Sequence, residues 1–287
     1  MKRILITGAN GQLGSSFYHL LHHKYEIINT SRSLNNVRSC IYLDITNPIV
    51  CKEVISLIKP DIILNFAALT SVDYCERYPE LANEVNVVGL ENLLTNFKKK
   101  IIHISSDYVF DGNNGPYSEN DSTNPINVYG MSKLRSEEIL LSNSENSLII
   151  RANVIYDYLN NSSASFLNWV VDSLKNKKEI NVVNDQINNP TWASSMTVVI
   201  DRAIELELAG LLHWGDRELL DRYEFAKKIA ESFKLNKSLI KPISTIDLQQ
   251  DALRPLKSGL KTDYAQKVLK LEPPTIKDCL NSIIKYT

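Results

Sequence analysis

The 287-residue chain is 44% hydrophobic and 23% charged, with a formal net charge of −1. That balance leaves no electrostatic footprint for nucleic acid or an anionic membrane surface, and no apolar run approaches the roughly 18 residues of a membrane span. Cys40, Cys51, Cys75 and Cys279 are scattered without disulfide-scaffold or metal-ligand spacing, so no metal is expected, and a reducing cytoplasm is the expected compartment.

The chain opens on an apolar run at 3–6, with no charged–apolar–small leader pattern before it. This run reads as a strand. It enters Thr7-Gly8-Ala9-Asn10-Gly11-Gln12-Leu13-Gly14, which has the spacing G-x-x-G-x-x-G, and then a helical pattern at 12–23. At a first strand–helix junction, Gly8 permits the sharp turn, Gly11 lets the backbone approach a diphosphate, and Gly14 allows close helix–strand packing. The helix N-terminus turns its N–H groups and positive dipole end to the same anion. Asn10, Gln12 and Leu13 belong to this loop and are expected at the cofactor with the glycines. A second strand at 26–29 runs into Thr30-Ser31-Arg32-Ser33. An NAD site usually carries an acid here for the ribose hydroxyls. Arg32 instead suits a bidentate contact with a 2′-phosphate, so NADP(H) is the expected cofactor and NAD(H) the alternative.

Strand patterns at 41–43, 62–66, 101–105 and 147–151 follow, separated for the most part by helical patterns at 48–58, 79–97 and 128–141. Several strands are continuously apolar, as parallel strands buried on both faces are. The series predicts a Rossmann-like, doubly wound parallel sheet of the α/β class. Ser105-Ser106 fall at the carboxyl end of a strand, where such sheets bind ligands. Tyr129 and Lys133 lie four apart on a helix and so share one face. A nearby ammonium should lower the phenol pKa from near 10 toward working pH, which suits a group exchanging a proton with a carbonyl oxygen. Ser106, Tyr129 and Lys133 are therefore the candidate catalytic residues.

After Arg151 the rhythm changes. A polar loop at 160–165, a helix at 165–175, a short strand at 180–183, a turn-rich loop at 185–191 and a helix at 196–206 come first. Helices at 221–233 and 275–285 then flank an irregular stretch around Arg254-Pro255. The expected division is residues 1–152 as the NAD(P)-binding domain, also receiving about 190–212. Residues 153–189 and 213–287 would form a smaller C-terminal substrate lobe. His19, His22 and His23 read as a solvated helix end, and His103 as a satisfied core histidine.

Residues 8–14, Asn65-Phe66-Ala67-Ala68, Asn86, Ser106 and Tyr129/Lys133 resemble the extended short-chain dehydrogenase/reductases. A closer resemblance, to the dTDP-4-dehydrorhamnose reductases, is carried by Thr70-Ser71-Val72-Asp73, Glu76, and Pro79-Glu80-Leu81-Ala82. Ser105-Ser106-Asp107-Tyr108-Val109-Phe110-Asp111-Gly112, Pro116-Tyr117-Ser118-Glu119 and Asn124-Pro125-Ile126-Asn127-Val128-Tyr129-Gly130 extend it. Asp185-Gln186, Pro190-Thr191-Trp192 and Arg254-Pro255 carry it over nearly the whole chain. The resemblance implies NADPH-dependent reduction of the C4 ketone of a nucleotide-activated 6-deoxy-4-keto sugar. Tyr129 would be the proton donor. Lys133 would bind the nicotinamide ribose and tune Tyr129. Asp44 and Ile45 would sit by the adenine, and Ala67, Ala68 and Thr70 on the nicotinamide side. Ser106, Asp107, Val72 and Val154 would face the sugar nucleotide; Trp192 is read either as capping the same pocket or as packing, and Arg254 either as reaching the diphosphate or as one half of a structural salt bridge.

Three places depart from the family. Val154 falls where a Trp is common, Asn188 stands for a Gly but tolerates a left-handed backbone better than most residues, which lets the loop survive, and the loop at 157–165 is unlike the usual glycine-containing one. Besides the sugar nucleotide, a second copy in a homodimer is the one partner considered. The alternatives are reduction of another nucleotide 4-keto sugar, or a non-catalytic NADP-binding regulatory subunit like the β subunit of methionine adenosyltransferase.

Overall fold

A computed structural model describes residues 1–34, 40–158 and 165–285. The polar loop expected at 160–165, and with it the family departure at 157–165, lies almost wholly outside these residues. Strands β1 (Arg3–Thr7), β2 (Glu26–Ser31), β3 (Ile41–Tyr42), β4 (Ile62–Asn65), β5 (Lys100–Ser106) and β6 (Leu148–Ala152) join the strand Gly210–Trp214 in one sheet. Its order is β3-β2-β1-β4-β5-β6 followed by Gly210–Trp214, with every pairing parallel. The expected α/β class and doubly wound parallel sheet are what is found.

The crossovers run through α1 (Gln12–Leu21), α2 (Pro48–Ile58), the short α3 (Val72–Arg77) and α4 (Pro79–Asn83), α5 (Gly89–Asn96) and α6 (Val128–Asn143). Alternation within the strands fills both faces of the sheet. Ile4, Ile6, Ile62, Leu64, Leu148 and Ile150 pack with Leu13 and Phe17 of α1 and Val199 and Ile200 of the helix Ala193–Glu205. Leu5, Ile63, Ile101 and Ile149 point the other way, against Val54, Leu90, Leu93 and Leu140. Period-two alternation with apolar residues on both sides is why these strands read as unbroken apolar runs.

The helix expected at 79–97 is interrupted. Between α4 and α5 the backbone takes a π turn at Glu84–Val88, which carries the buried Asn86. Single π turns recur at functional sites. The sequence reading also passed over α3 and the strand Gly210–Trp214, which runs through the division expected at 212/213.

A second core joins Leu167, Val170 and Val171 to Phe225, Ile229, Cys279 and Ile283, roofed by the parallel pair Ile180–Val183 and Ile240–Ile243. The helix Asp263–Leu269 instead lends Ala265 and Leu269 to the sheet's own core. Asn188 is a strand residue, paired antiparallel with Leu220, so the left-handed tolerance of Asn is not used there. Among the described residues no helix is long and apolar enough to cross a membrane.

Asp216 ties the two cores together. Its carboxylate accepts from Tyr156 Oη at 2.7 Å, from the Trp192 N–H and from Ser195 Oγ. Burial nevertheless pushes it up to about 7, against those donors. A carboxyl whose folded pKa is raised binds its proton more tightly in the native state. Its contribution is complete below the unfolded value near 3.9 and is lost as pH rises through about 7. Relative to Asp216→Asn, the native protein should therefore lose stability between about pH 4 and 7. Thermal midpoints of both proteins across that window check this, and a constant difference contradicts it.

Candidate active site

The cleft opens at the carboxyl edge of the sheet, where strand order reverses between β1 and β4, the place such folds bind ligands. Its volume is about 1160 Å³, more than a single drug-sized ligand needs. One end is the glycine loop. Gly8 has φ +65°, and a Cβ there would stand 2.8 Å from the Ala67 backbone, so the turn is open only to glycine. Helix α1 starts at Gln12 with no side-chain cap and no acid in its first turn. Its first N–H groups have no partner within the helix and are the anion site such a loop provides. Ser105 Oγ, on the cleft wall, is buried without a hydrogen-bond partner. An uncapped helix start, a glycine cradle and an orphaned hydroxyl together fit a dinucleotide.

Two loop side chains work inside the protein. Asn10 Nδ2 donates to Ser31 Oγ at 2.9 Å and to Ser33 O at 2.8 Å, which fixes the turn presenting Arg32 to the cleft. Gln12 clasps the far wall. It accepts from the Asp157 N–H at 2.7 Å and donates to Ile155 O at 3.3 Å. Gly11, Leu13, Gly14, Asp44, Ile45, Ala67, Ala68 and Thr70 also line the cleft, so the structure brings every expected cofactor residue together.

At the other end of the cleft, Asn127 caps α6 by accepting from the Gly130 N–H at 2.8 Å. A Cβ on Gly130 would stand 2.1 Å from Tyr108 O. Glycine there lets the helix press onto the turn after β5, with Tyr108 and Tyr129 edge to face at 5.7 Å. Ser106 Oγ accepts from the Tyr108 N–H at 3.2 Å and donates to Asp107 Oδ1 at 2.9 Å. Asp107 also accepts from Ser258 Oγ, and burial pushes its carboxyl up to about 6.

The expected lowering of the Tyr129 phenol is corrected. Desolvation in the cleft raises it above its ordinary value, with the Ser106 hydroxyl opposing. The Lys133 ammonium, one helical turn away, is engaged with His103 at 3.0 Å. A raised phenol stays protonated at neutral pH, as a proton donor must. Burial lowers Lys133 to about 8, with Glu137 opposing.

Val72, Ser106, Asp107, Val154 and Arg254 lie on the same cleft. Val154 holds φ +29°, a conformation that a β-branched residue adopts only under strain. Arg254 is paired with Asp73 at 2.8 Å. Trp192 stands apart. Its indole N–H turns to Asp157 Oδ1 at 3.4 Å, and its ring packs on the second core. Sequence reasoning missed Arg222, which faces the cleft with its guanidinium 5.5 Å from the centre of the Phe166 ring. A signal was present: Arg222 is a cation in the first turn of a helix capped by Asp221, where the dipole disfavours it.

A family model described as RmlD substrate binding domain matches residues 1–287. The chain is 34% identical to the dTDP-4-dehydrorhamnose reductase of Aggregatibacter actinomycetemcomitans, over 100% of its own length and 99% of that protein's. It is 32% identical to methionine adenosyltransferase 2 subunit beta of Xenopus tropicalis, over 85% and 75% of the two chains. A crystal structure of dTDP-4-dehydrorhamnose reductase from Bacillus anthracis str. Ames, in complex with NADP, matches at TM-score 0.91 and 32% identity, covering 100% of both chains.

Proposed function

Because the chain belongs to the RmlD substrate binding domain family, as its motifs implied, we propose that it is an NADPH-dependent reductase of a nucleotide-activated 6-deoxy-4-keto sugar. The first candidate reaction is dTDP-4-dehydro-L-rhamnose to dTDP-L-rhamnose, within precursor synthesis for a polysaccharide in the cytoplasm. The observation that carries this reading is the placement of Tyr129, Lys133 and Ser106 on one cleft with the glycine loop. Bound NADPH supplies the hydride. Tyr129 delivers the proton to the C4 oxygen, and Lys133 holds the ribose that presents the nicotinamide. Ser106 can reach the same oxygen once its hydroxyl turns from Asp107. Arg222 and Arg254 meet the diphosphate of the sugar nucleotide, while Val72, Asp107 and Val154 border the sugar. The sheet with its two helical layers serves the cofactor, and the second core carries the substrate side.

Purified protein given NADPH and a panel of nucleotide 4-keto sugars should oxidise NADPH with the dTDP sugar, and oxidation with none of the panel contradicts the reading. A second reading, a non-catalytic cofactor-binding subunit, is favoured by the likeness to the Xenopus subunit. It predicts tight NADPH binding without turnover.

Arg32 makes no ion pair among the described residues. A charge-assisted contact with a 2′-phosphate contributes roughly 1.5–3 kcal/mol, on the order of tenfold or more in affinity. Arg32→Ala should erase most of the preference for NADPH over NADH. Equal kinetics with both cofactors in the native protein would remove Arg32 from this role.

A further inference from the structure

Adjacent strands place three polar residues in one row at the carboxyl edge of the sheet. Thr7 of β1 lies in register with Asn65 of β4, and Asn65 with His103 of β5. Thr7 Oγ1 accepts from the Ala67 N–H at 3.1 Å and donates to Asn65 Oδ1 at 2.7 Å. Asn65 Nδ2 lies 3.0 Å from His103 Nδ1. His103 Nε2 is 3.0 Å from Lys133 Nζ and 3.1 Å from Ser136 Oγ, whose own proton goes to Lys133 O. Every member is buried.

We infer that His103 is a positioning residue of the reductive site, whose neutral ring accepts a hydrogen bond at Nε2 from the Lys133 ammonium and so fixes where that ammonium stands. The inference rests on the proposed role of Lys133 at the cofactor. The 3.0 Å contact with Nζ supports it, and the proton count leaves two arrangements of the ring. Two cations 3.0 Å apart in a buried site exclude an imidazolium beside an ammonium, and burial together with Lys133 holds His103 neutral. A neutral imidazole carries one proton. With Nε2 accepting, that proton is on Nδ1, the Asn65 amide must turn its oxygen to it, and Thr7 Oγ1 then accepts from Asn65 Nδ2 instead of donating to Oδ1. The amide's oxygen and nitrogen are interchangeable in shape. In the opposite orientation, with Thr7 donating to Asn65 Oδ1 and Asn65 Nδ2 donating to Nδ1, the ring proton is on Nε2, where Ser136 Oγ accepts it, and Lys133 has no acceptor on the ring. The His103 tautomer therefore decides whether the Lys133 ammonium has an acceptor on the ring. Ammonium in place leaves two of its three N–H donors for the cleft. The other charged groups around Lys133 are Glu137 on α6 and its partner Arg151 on β6.

The link is read in two ways. Long-range ¹⁵N NMR on the whole protein at neutral pH should show His103 with an unprotonated, hydrogen-bonded Nε2, and Lys133→Met should move the ring proton. NADPH affinity, followed by fluorescence against pH, should fall about tenfold in His103→Leu, the order of one hydrogen bond to a charged group. Its basic limb should shift to lower pH. His103→Gln, which retains an acceptor, should recover most of both. A protonated Nε2 in the native protein, or an unchanged limb and affinity in a folded His103→Leu, overturns the inference. Neither measurement needs a sugar substrate, so a protein that binds NADPH this way yet reduces no keto sugar fails the reductase reading alone.

Discussion

Tyr129→Phe should lower turnover by about 10²–10⁴-fold, the usual contribution of a positioned general acid, while NADPH binds as before. The substitution keeps the ring that meets Tyr108 edge to face and removes only the hydroxyl. As hydride reaches C4, negative charge grows on the oxygen, and a donor matched to that charge acts in the transition state rather than the ground state. Burial keeps the Tyr129 phenol protonated, so the proton is in place when needed. The Michaelis constant for the sugar should change far less than turnover. Stopped-flow reduction, with NADPH affinity measured by fluorescence on the same sample, separates chemistry from binding. Near-native turnover with a confirmed keto-sugar substrate would remove Tyr129 from the mechanism.

Glu137→Ala should cost about 3–5 kcal/mol of folding stability, the usual penalty for stranding one member of a buried ion pair. Glu137 on α6 accepts from Arg151 Nε at 2.9 Å and from Nη2 at 2.6 Å, and both side chains are buried. Arg151 also lies over the Phe110 ring and reaches His213 Nε2. Burial and the guanidinium lower His213 to about 3, so its ring stays neutral and accepts. This pair clamps the helix carrying Tyr129 and Lys133 onto the sheet. Replacing both partners, as in Glu137→Leu with Arg151→Met, should recover much of the loss, because no uncompensated charge remains. Urea unfolding of the single and double variants measures it. A loss within 1 kcal/mol for Glu137→Ala would show that the helix is held by other contacts.

The glycine loop and the Tyr129/Lys133 spacing were legible because their chemistry is local: a strand, a turn and one helical face bring those groups together within a few residues. The parallel sheet was legible for a related reason, since strands buried on both faces leave unbroken apolar runs. What escaped is non-local. Arg222 reaches the cleft only because the second core folds it back over the sheet. The His103–Lys133 contact depends on the register of β1, β4 and β5, which no spacing encodes. The ammonium expected to lower Tyr129 is instead engaged with His103, and burial raises the phenol; burial is a property of the folded cleft. Trp192 carried a family motif, yet Asp216 and the second core draw it off the cleft wall. Val154, judged only for the ring it lacks, also carries an unusual backbone at the site.

The proposed reaction is hydride transfer to C4 of a nucleotide keto sugar, paired with a proton from Tyr129. The most direct measurement supplies the protein with dTDP-4-dehydro-L-rhamnose and NADPH deuterated at its transferable position, then reads the product by NMR. The product should be dTDP-L-rhamnose with one deuterium at C4 for each NADPH oxidised, and Tyr129→Phe should form almost none in the same time. NADPH held tightly but not oxidised, or deuterium anywhere other than C4, would contradict it.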